Sequence, residues 1–195
     1  INQWTWVNGS NLTNQLGTYG TKGVPAASNT PGARLEISCS WVDNNGDLWL
    51  FGGLGYAASG PLGKLNDLWK YNIATDQWTW VSGDNITGVV SVYGTQGVAA
   101  ATNKPGGRWV YTSWKDMNGN LWLFGGDYRN DLWKYDIATD MWTWMSGGTT
   151  PSLAGNYGTK CVEATSNVPG GRLETRTRWV DDCGNFWLYG GMSNG

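Results

Sequence analysis

At 195 residues the chain is long enough to bury a sizeable core as one domain. A net charge of −2 gives no electrostatic footing for nucleic acid, no apolar run is long enough for a membrane-spanning helix, and the absence of histidine removes the usual imidazole ligand and general base. Fifteen Trp and thirty Gly dominate instead, which points to aromatic packing and tight turns rather than to titratable chemistry.

Residues 1–7 carry Trp4-Thr5-Trp6 and are predicted to form a strand. A polar connection follows over 8–33, with glycosylation sequons at Asn8 and Asn11, then Tyr19-Gly20-Thr21 and Pro31-Gly32-Ala33-Arg34. Residues 34–42 mix β-branched and aromatic types with polar ones and break at Asp43-Asn44-Asn45-Gly46, a turn composition. Residues 47–51 are a compact apolar strand, expected to stop at Gly52-Gly53. The Gly-rich stretch 54–65, carrying Tyr56, has no room inside a packed strand and is expected to be a surface loop. Residues 68–73 and 77–81 are two further strands joined by Ala74-Thr75-Asp76. No window sustains a 3.6-residue period, so the chain is predicted to be all-β.

The same order then recurs. Asn66-Asp67-Leu68-Trp69-Lys70-Tyr71 returns as Asn130-Asp131-Leu132-Trp133-Lys134-Tyr135, and Trp78-Thr79-Trp80 as Trp142-Thr143-Trp144. Tyr-Gly-Thr stands at Tyr19, Tyr93 and Tyr157; Pro-Gly-(Ala/Gly)-Arg ends at Arg34, Arg108 and Arg172; a Gly-Gly pair closes the second strand at Gly53, Gly126 and Gly191. In the second copy Asp127-Tyr128-Arg129 replaces the 54–65 stretch. A chain that copies one unit has a repeat architecture.

These residues resemble a kelch repeat, the four-stranded blade of a β-propeller, in which a glycine pair precedes a Tyr and a Trp on the third and fourth strands. Gly52-Gly53 with Tyr71 and Trp78 meets that pattern, as does Gly125-Gly126 with Tyr135 and Trp142; Gly190-Gly191 opens a third match. The likeness is to bacterial-type extracellular kelch repeats and to the central propeller of sugar oxidases. It implies blades at 34–81 and 108–145, the first two strands of another at 172–191, and long inter-blade connections at 8–33, 82–107 and 146–171. The connection from Trp80 to Arg108 is unusually long for that family and is expected to carry its own ordered turns. With residues 1–7 as the fourth strand of a preceding blade, this is about 2.7 blades, where a propeller closes with about four to eight. The chain is accordingly expected to be a segment of a larger propeller; a ring or fibre of several chains is the alternative.

The repeated Trp are expected to be core, with Tyr71 and Trp78 among them, whereas Trp109 replaces Leu35 and Leu173 and stands apart. Arg34, Arg108 and Arg172 open the innermost strands, where they would either approach the propeller axis to grip a carboxylate or sulfate or tie backbones together. Glu36 and Glu174, two residues on, lie on the same predicted strand face and could pair with them; the second copy has Val110 there, or a neighbour. The turn aspartates Asp43, Asp116 and Asp181 cap backbone N–H groups, since they lack the ligand series of a Ca²⁺ loop. Cys161 and Cys183 occur only in the third copy and form a candidate disulfide, against which stands the placement of the two positions on opposite faces. Cys39 is expected to be a small buried thiol. No metal site and no cofactor are implied.

Scarce charge and the sequons at Asn8, Asn11 and Asn85 point to an extracellular or cell-surface protein. Two function classes fit. One is a non-enzymatic scaffold for binding, adhesion or structural assembly, meeting a protein or glycan ligand through the variable loops (Tyr56, Tyr128 and Arg129) and through the arginines. The other is a carbohydrate-active propeller enzyme whose catalytic residues lie outside these 195. An extracellular fibre subunit is a third reading.

Overall fold

The structure, a computed structural model, describes residues 2–36, 40–175 and 177–193; Cys39 lies outside them. Among the described residues the chain is all-β, with no helix and no sheet that closes on itself. In the first unit β1 (Arg34–Leu35) and β2 (Ser40–Val42) are two halves of one inner strand. Both pair antiparallel with β3 (Leu48–Gly55), which pairs in turn with β4 (Gly63–Asn72) and β4 with β5 (Gln77–Ser82). The second unit repeats this as β6 (Thr112–Lys115), β7 (Leu121–Phe124), β8 (Leu132–Asp136) and β9 (Met141–Ser146). The third comprises two pairs, β10 (Arg172–Leu173) with β13 (Met192–Ser193) and β11 (Thr177–Val180) with β12 (Phe186–Tyr189).

Four expectations are corrected. Residues 2–7 form no strand and Trp4 is 95% exposed: in both complete units the Trp-Thr-Trp strand pairs with Leu-Trp-Lys-Tyr, and no strand among the described residues pairs with residues 2–7. The inner strand breaks at Glu36, whose φ of 55° is matched by Val110 at 48° and Glu174 at 58°. That shared conformation makes Val110 the equivalent of the two glutamates. The 54–65 stretch is not a simple surface loop, because Leu54↔Lys64 and Gly55↔Gly63 extend the hairpin and bury Ala57 and Leu65 completely. Lastly, β3 runs through Gly52-Gly53 instead of stopping there. A Cβ on Gly52 would stand 2.7 Å from the Leu65 carbonyl, at a φ of 52° that L side chains rarely adopt.

The connections carry ordered turns, as expected for the one from Trp80 to Arg108, and they also have a place in the sheets. Each closes a small hairpin, through Thr18↔Thr30, Val92↔Lys104 and Asn156↔Val168. In the first two units its tip lies along the outer edge of the fourth strand, with Gly23 N–H donating to Trp80 O and Gly97 N–H to Trp144 O. Ala26 and Ala100 bridge to Trp78 and Trp142. Asn29 and Asn103 also donate to the carbonyls of those two tryptophans. An edge that would otherwise be open to foreign strands is thereby covered. The Tyr-Gly-Thr motif follows from this packing, because a side chain at Gly20, Gly94 or Gly158 would strike the amide of Asn29, Asn103 or Asn167.

Successive units are joined at their inner strands. Val110 N–H donates to Glu36 O, and Glu174 N–H to Val110 O at 3.1 Å. Gly53 N–H and Gly126 N–H likewise donate to Arg108 O and Arg172 O of the following unit. Between the first two sheets lies the main apolar cluster, which includes Trp49, Phe51, Tyr111, Leu121, Trp133, Tyr135 and Trp142. Trp114 stacks on Phe186 across the next junction, with ring centroids 5.2 Å apart. The interface is head-to-tail, each unit presenting to the next the surface that its predecessor presented to it.

Candidate functional site

The three arginines are built into one arrangement. Arg34 donates through Nη1 and Nη2 to Asp67 Oδ1 and Oδ2 at 2.8 and 2.9 Å, through Nη1 to Gly52 O, and through Nε to Gly32 O. Arg108 repeats this with both oxygens of Asp131, at 2.7 and 2.9 Å, with Gly125 O and with Gly106 O. The side chains are 3% and 0% exposed, their aspartates 0%. Asp67 Oδ2 also accepts from Tyr19 Oη and Trp69 Nε1, both at 2.7 Å, and Asp131 Oδ2 from Tyr93 Oη and Trp133 Nε1. Each complete unit therefore encloses a Tyr–Asp–Arg–Trp network joining the connection, the inner strand and the third strand. With a further bond from Nη2 to Ser91 Oγ, Arg108 has all five of its N–H donors engaged, and Arg34 has four of five, so these buried guanidiniums have little left to offer a ligand.

The glutamates are not the partners of the arginines. Alternation of faces holds only along extended backbone, and the left-handed residue at Glu36 and Glu174 interrupts it. The aspartates of the third strand take that place. Burial pushes the Asp131 carboxyl up, but the adjacent Arg108 guanidinium and the Trp133 and Tyr93 donors outweigh it and hold it below the usual carboxylate range.

The rest of the duplicated stretch is equally engaged. Asn66 accepts from Asp84 N–H and donates to Pro105 O; Asn130 does the same with Gly148 and Pro169. Leu68, Trp69 and Trp133 are fully buried. Tyr71 Oη donates to Asp76 at 2.7 Å and Tyr135 Oη to Asp140, where the aspartates hold left-handed turn positions at φ 53° and 55°. Asn72 and Asp136 cap the same turns from their other side.

The turn aspartates behave as expected. Asp43 Oδ1 accepts from the N–H groups of Asn45 and Asp47, and Asp116 and Asp181 repeat the pattern. Their second oxygen accepts from an indole: Trp49, Trp122 and Trp187 each donate to it at 2.8 Å. Donation from the Asn185 amide and from Trp187 lowers Asp181 to about 2. Because Asp84, Asp116, Asp131 and Asp181 all titrate below their ordinary value in the fold, their contribution is complete above the unfolded pKa of about 3.9 and is lost as pH falls through the folded values. The melting temperature is expected to hold from pH 7 to about 5 and to fall steeply between about 4 and 2. Circular-dichroism melts across that range check it, and a curve flat to pH 2 would contradict it.

The loop residues do not converge. Tyr56 lies beside the inner strand of the first unit, its N–H donating to Ala33 O. Tyr128 and Arg129 form the short turn of the second unit with Asp127, which pairs with Lys64 at 2.7 Å. Tyr128 Oη stands 3.6 Å from Met192 Sδ, and Arg129 Nη1 donates to Tyr93 Oη at 3.3 Å. Trp109 is half-buried with its indole N–H unpaired. Asn8, Asn11 and Asn85 are exposed. Cys161 and Cys183 are free, exposed thiols and do not form the candidate bridge. In the complete units the position of Cys161 lies outside the fourth strand, three strand spacings of about 4.8 Å beyond the second, whereas a disulfide needs Cα atoms within about 7 Å.

Among the described residues no group of three or more Cys, Asp or Glu is placed to hold a metal, and no helix is long and apolar enough to cross a membrane. No protein-family model matches the sequence.

Proposed function

We propose that the chain is a kelch-type propeller segment serving as a non-enzymatic, extracellular or cell-surface scaffold, which meets a protein or glycan ligand through its variable loops. The observation that carries this reading is the fate of the copied polar residues. Arg34, Arg108, Asp67 and Asp131 are buried in ion pairs within the sheets, and the turn aspartates are spent on N–H groups of their own unit. The head-to-tail ladder through Glu36, Val110 and Glu174 supports the propeller assignment, since it is the kind of junction that continues from blade to blade.

What differs between units is then what a ligand reads: the 54–65 hairpin with Tyr56, and the turn with Tyr128 and Arg129. Aromatic faces beside an arginine suit sugar rings bearing a carboxylate or sulfate. On an array of acidic oligosaccharides, Tyr56→Ala, Tyr128→Ala and Arg129→Ala are expected to abolish the signal while moving the melting temperature by no more than a few degrees. A signal that survives all three changes would contradict the loop-face reading, and turnover of an arrayed sugar would contradict the non-enzymatic one.

A further inference from the structure

The two complete units differ at one polar pair, and in the second unit that pair opens onto a cleft. In the first unit Asn72 Nδ2 donates to Asp47 Oδ1 at 2.8 Å, and Lys70 stands 3.5 Å from the other oxygen of that carboxylate. The second unit exchanges the residue types, with Asn120 in place of Asp47 and Asp136 in place of Asn72. The bond between them is then lost, because Asn120 Nδ2 donates to Asp116 Oδ2 instead. Asp136 accepts through Oδ1 from the N–H groups of Ala138 and Thr139, and its Oδ2 has no donor among the described residues. It lines a cleft of about 220 Å³ between the first two units, at the end of the strands opposite to Tyr56 and Tyr128. Asn45 and Asn118 line the same cleft, and only their backbone N–H groups are bonded, so both side-chain amides are open. Asn44 gives its Oδ1 to Lys115 Nζ at 3.2 Å and keeps Nδ2. It lies over Gly119, where a Cβ would stand 2.8 Å from that nitrogen. Ile137 and Ala138 add an apolar surface.

We infer that this cleft is a binding site for one neutral sugar ring, held by its hydroxyl groups. A hydroxyl both donates and accepts, and the cleft offers both partners. Asp136 Oδ2 and Asn120 Oδ1 accept, the amides of Asn44, Asn45 and Asn118 donate, and the C–H face of the ring rests on Ile137. Charge selects against the other classes. A calcium ion takes about six to eight oxygen ligands, whereas Asp43, the other carboxylate here, has both oxygens spent on N–H groups. An acidic sugar would meet the open oxygen of Asp136 and be repelled. The volume lies below the roughly 300–1,000 Å³ of pockets for drug-sized ligands, which leaves room for a single ring. With no aromatic face in the cleft, millimolar affinity is expected. The inference does not rest on the loop-face reading, which concerns the other end of the strands and an acidic ligand, so either can fail without the other.

The test titrates the full 195-residue chain, isotope-labelled, with the methyl glycosides of glucose, galactose and mannose and follows the backbone amides by NMR. Saturable shifts are expected with at least one of the three, centred on residues 44–46, 118–120 and 136–138. Asp136→Asn keeps the turn, because Asn72 caps the corresponding turn of the first unit through the same side-chain oxygen. It is expected to weaken binding at least about tenfold without moving the melting temperature. Asn45→Ala removes an amide that the fold does not use and is expected to weaken binding about threefold or more. No saturable shift with any of the three at about 50 mM would overturn the proposal. So would undiminished binding by Asp136→Asn, shifts centred on Tyr56 and Tyr128 alone, or binding that requires added calcium.

Discussion

Asp131→Ala is expected to destabilise the protein by about 3–5 kcal/mol, because it leaves the Arg108 guanidinium buried without its counter-charge. The cost arises from desolvation, since Arg108 is fully enclosed and keeps only the carbonyls of Gly106 and Gly125 and the Ser91 hydroxyl. Trp133 Nε1 and Tyr93 Oη lose their acceptor in the same step. Arg172→Ala is the internal control. That arginine opens the same kind of strand but faces no carboxylate among the described residues, and its contacts are exposed. It is expected to cost no more than about 1 kcal/mol. Urea titrations of the two variants against the parent chain decide the matter. Equal effects would mean that the pairs in the first two units contribute nothing beyond a surface arginine.

The second large effect is expected at Trp142, where truncation to Ala should cost about 3–5 kcal/mol. Its ring is 2% exposed and packs on Tyr135 and Trp133 of its own sheet and, across the junction, on Phe51 of the preceding unit at 5.5 Å. Trp78 occupies the same place in the first unit and touches Tyr71 and Trp69, with no ring from another sheet against it among the described residues. It is half-buried, so the expectation that Trp78 is a core residue is corrected. Trp78→Ala is expected to cost distinctly less than Trp142→Ala, because less contact area is lost. Thermal melts of the two variants measure the difference, and matching values would mean that the junction does not add to the packing of Trp142.

The units, their turns and most strand positions were legible in the sequence because each has a local cause. Asp-x-x-Gly supplies a turn, and alternating aromatic and polar residues supply half-buried strands. Partners distant in the chain were harder to read. Glu36 was the natural mate for Arg34 on the assumption of unbroken alternation, and a single residue at φ 55° defeats that assumption. A signal was nonetheless present: the second copy carries Val110 in place of the glutamate yet keeps its arginine, while the aspartate before Leu-Trp-Lys-Tyr is unchanged in both complete copies. The ordered turns of the connections follow from their length, but their polar composition does not reveal which edge they cover. Trp4-Thr5-Trp6 looked like a strand because composition encodes half of a pair and is silent on the other half.

For the candidate site, the sequence pointed correctly to the arginines as a repeated feature but left their role open between ligand and scaffold. Arg34 and Arg108 are buried in ion pairs, whereas among the described residues Arg172 meets no carboxylate. That difference comes from the neighbouring strand and not from the arginine's own surroundings in sequence, which are the same Pro-Gly-Gly in the second and third copies.

The most direct measurement is a double-mutant cycle on Arg108 and Asp131, with Arg108→Met, Asp131→Leu and the two together, read as unfolding free energies in urea. If the copied residues act as one buried structural unit, the double variant should be no less stable than either single one, with a coupling of about 2–3 kcal/mol. Additive losses in the double variant would contradict the claim that the duplicated motif is there to hold the sheets together.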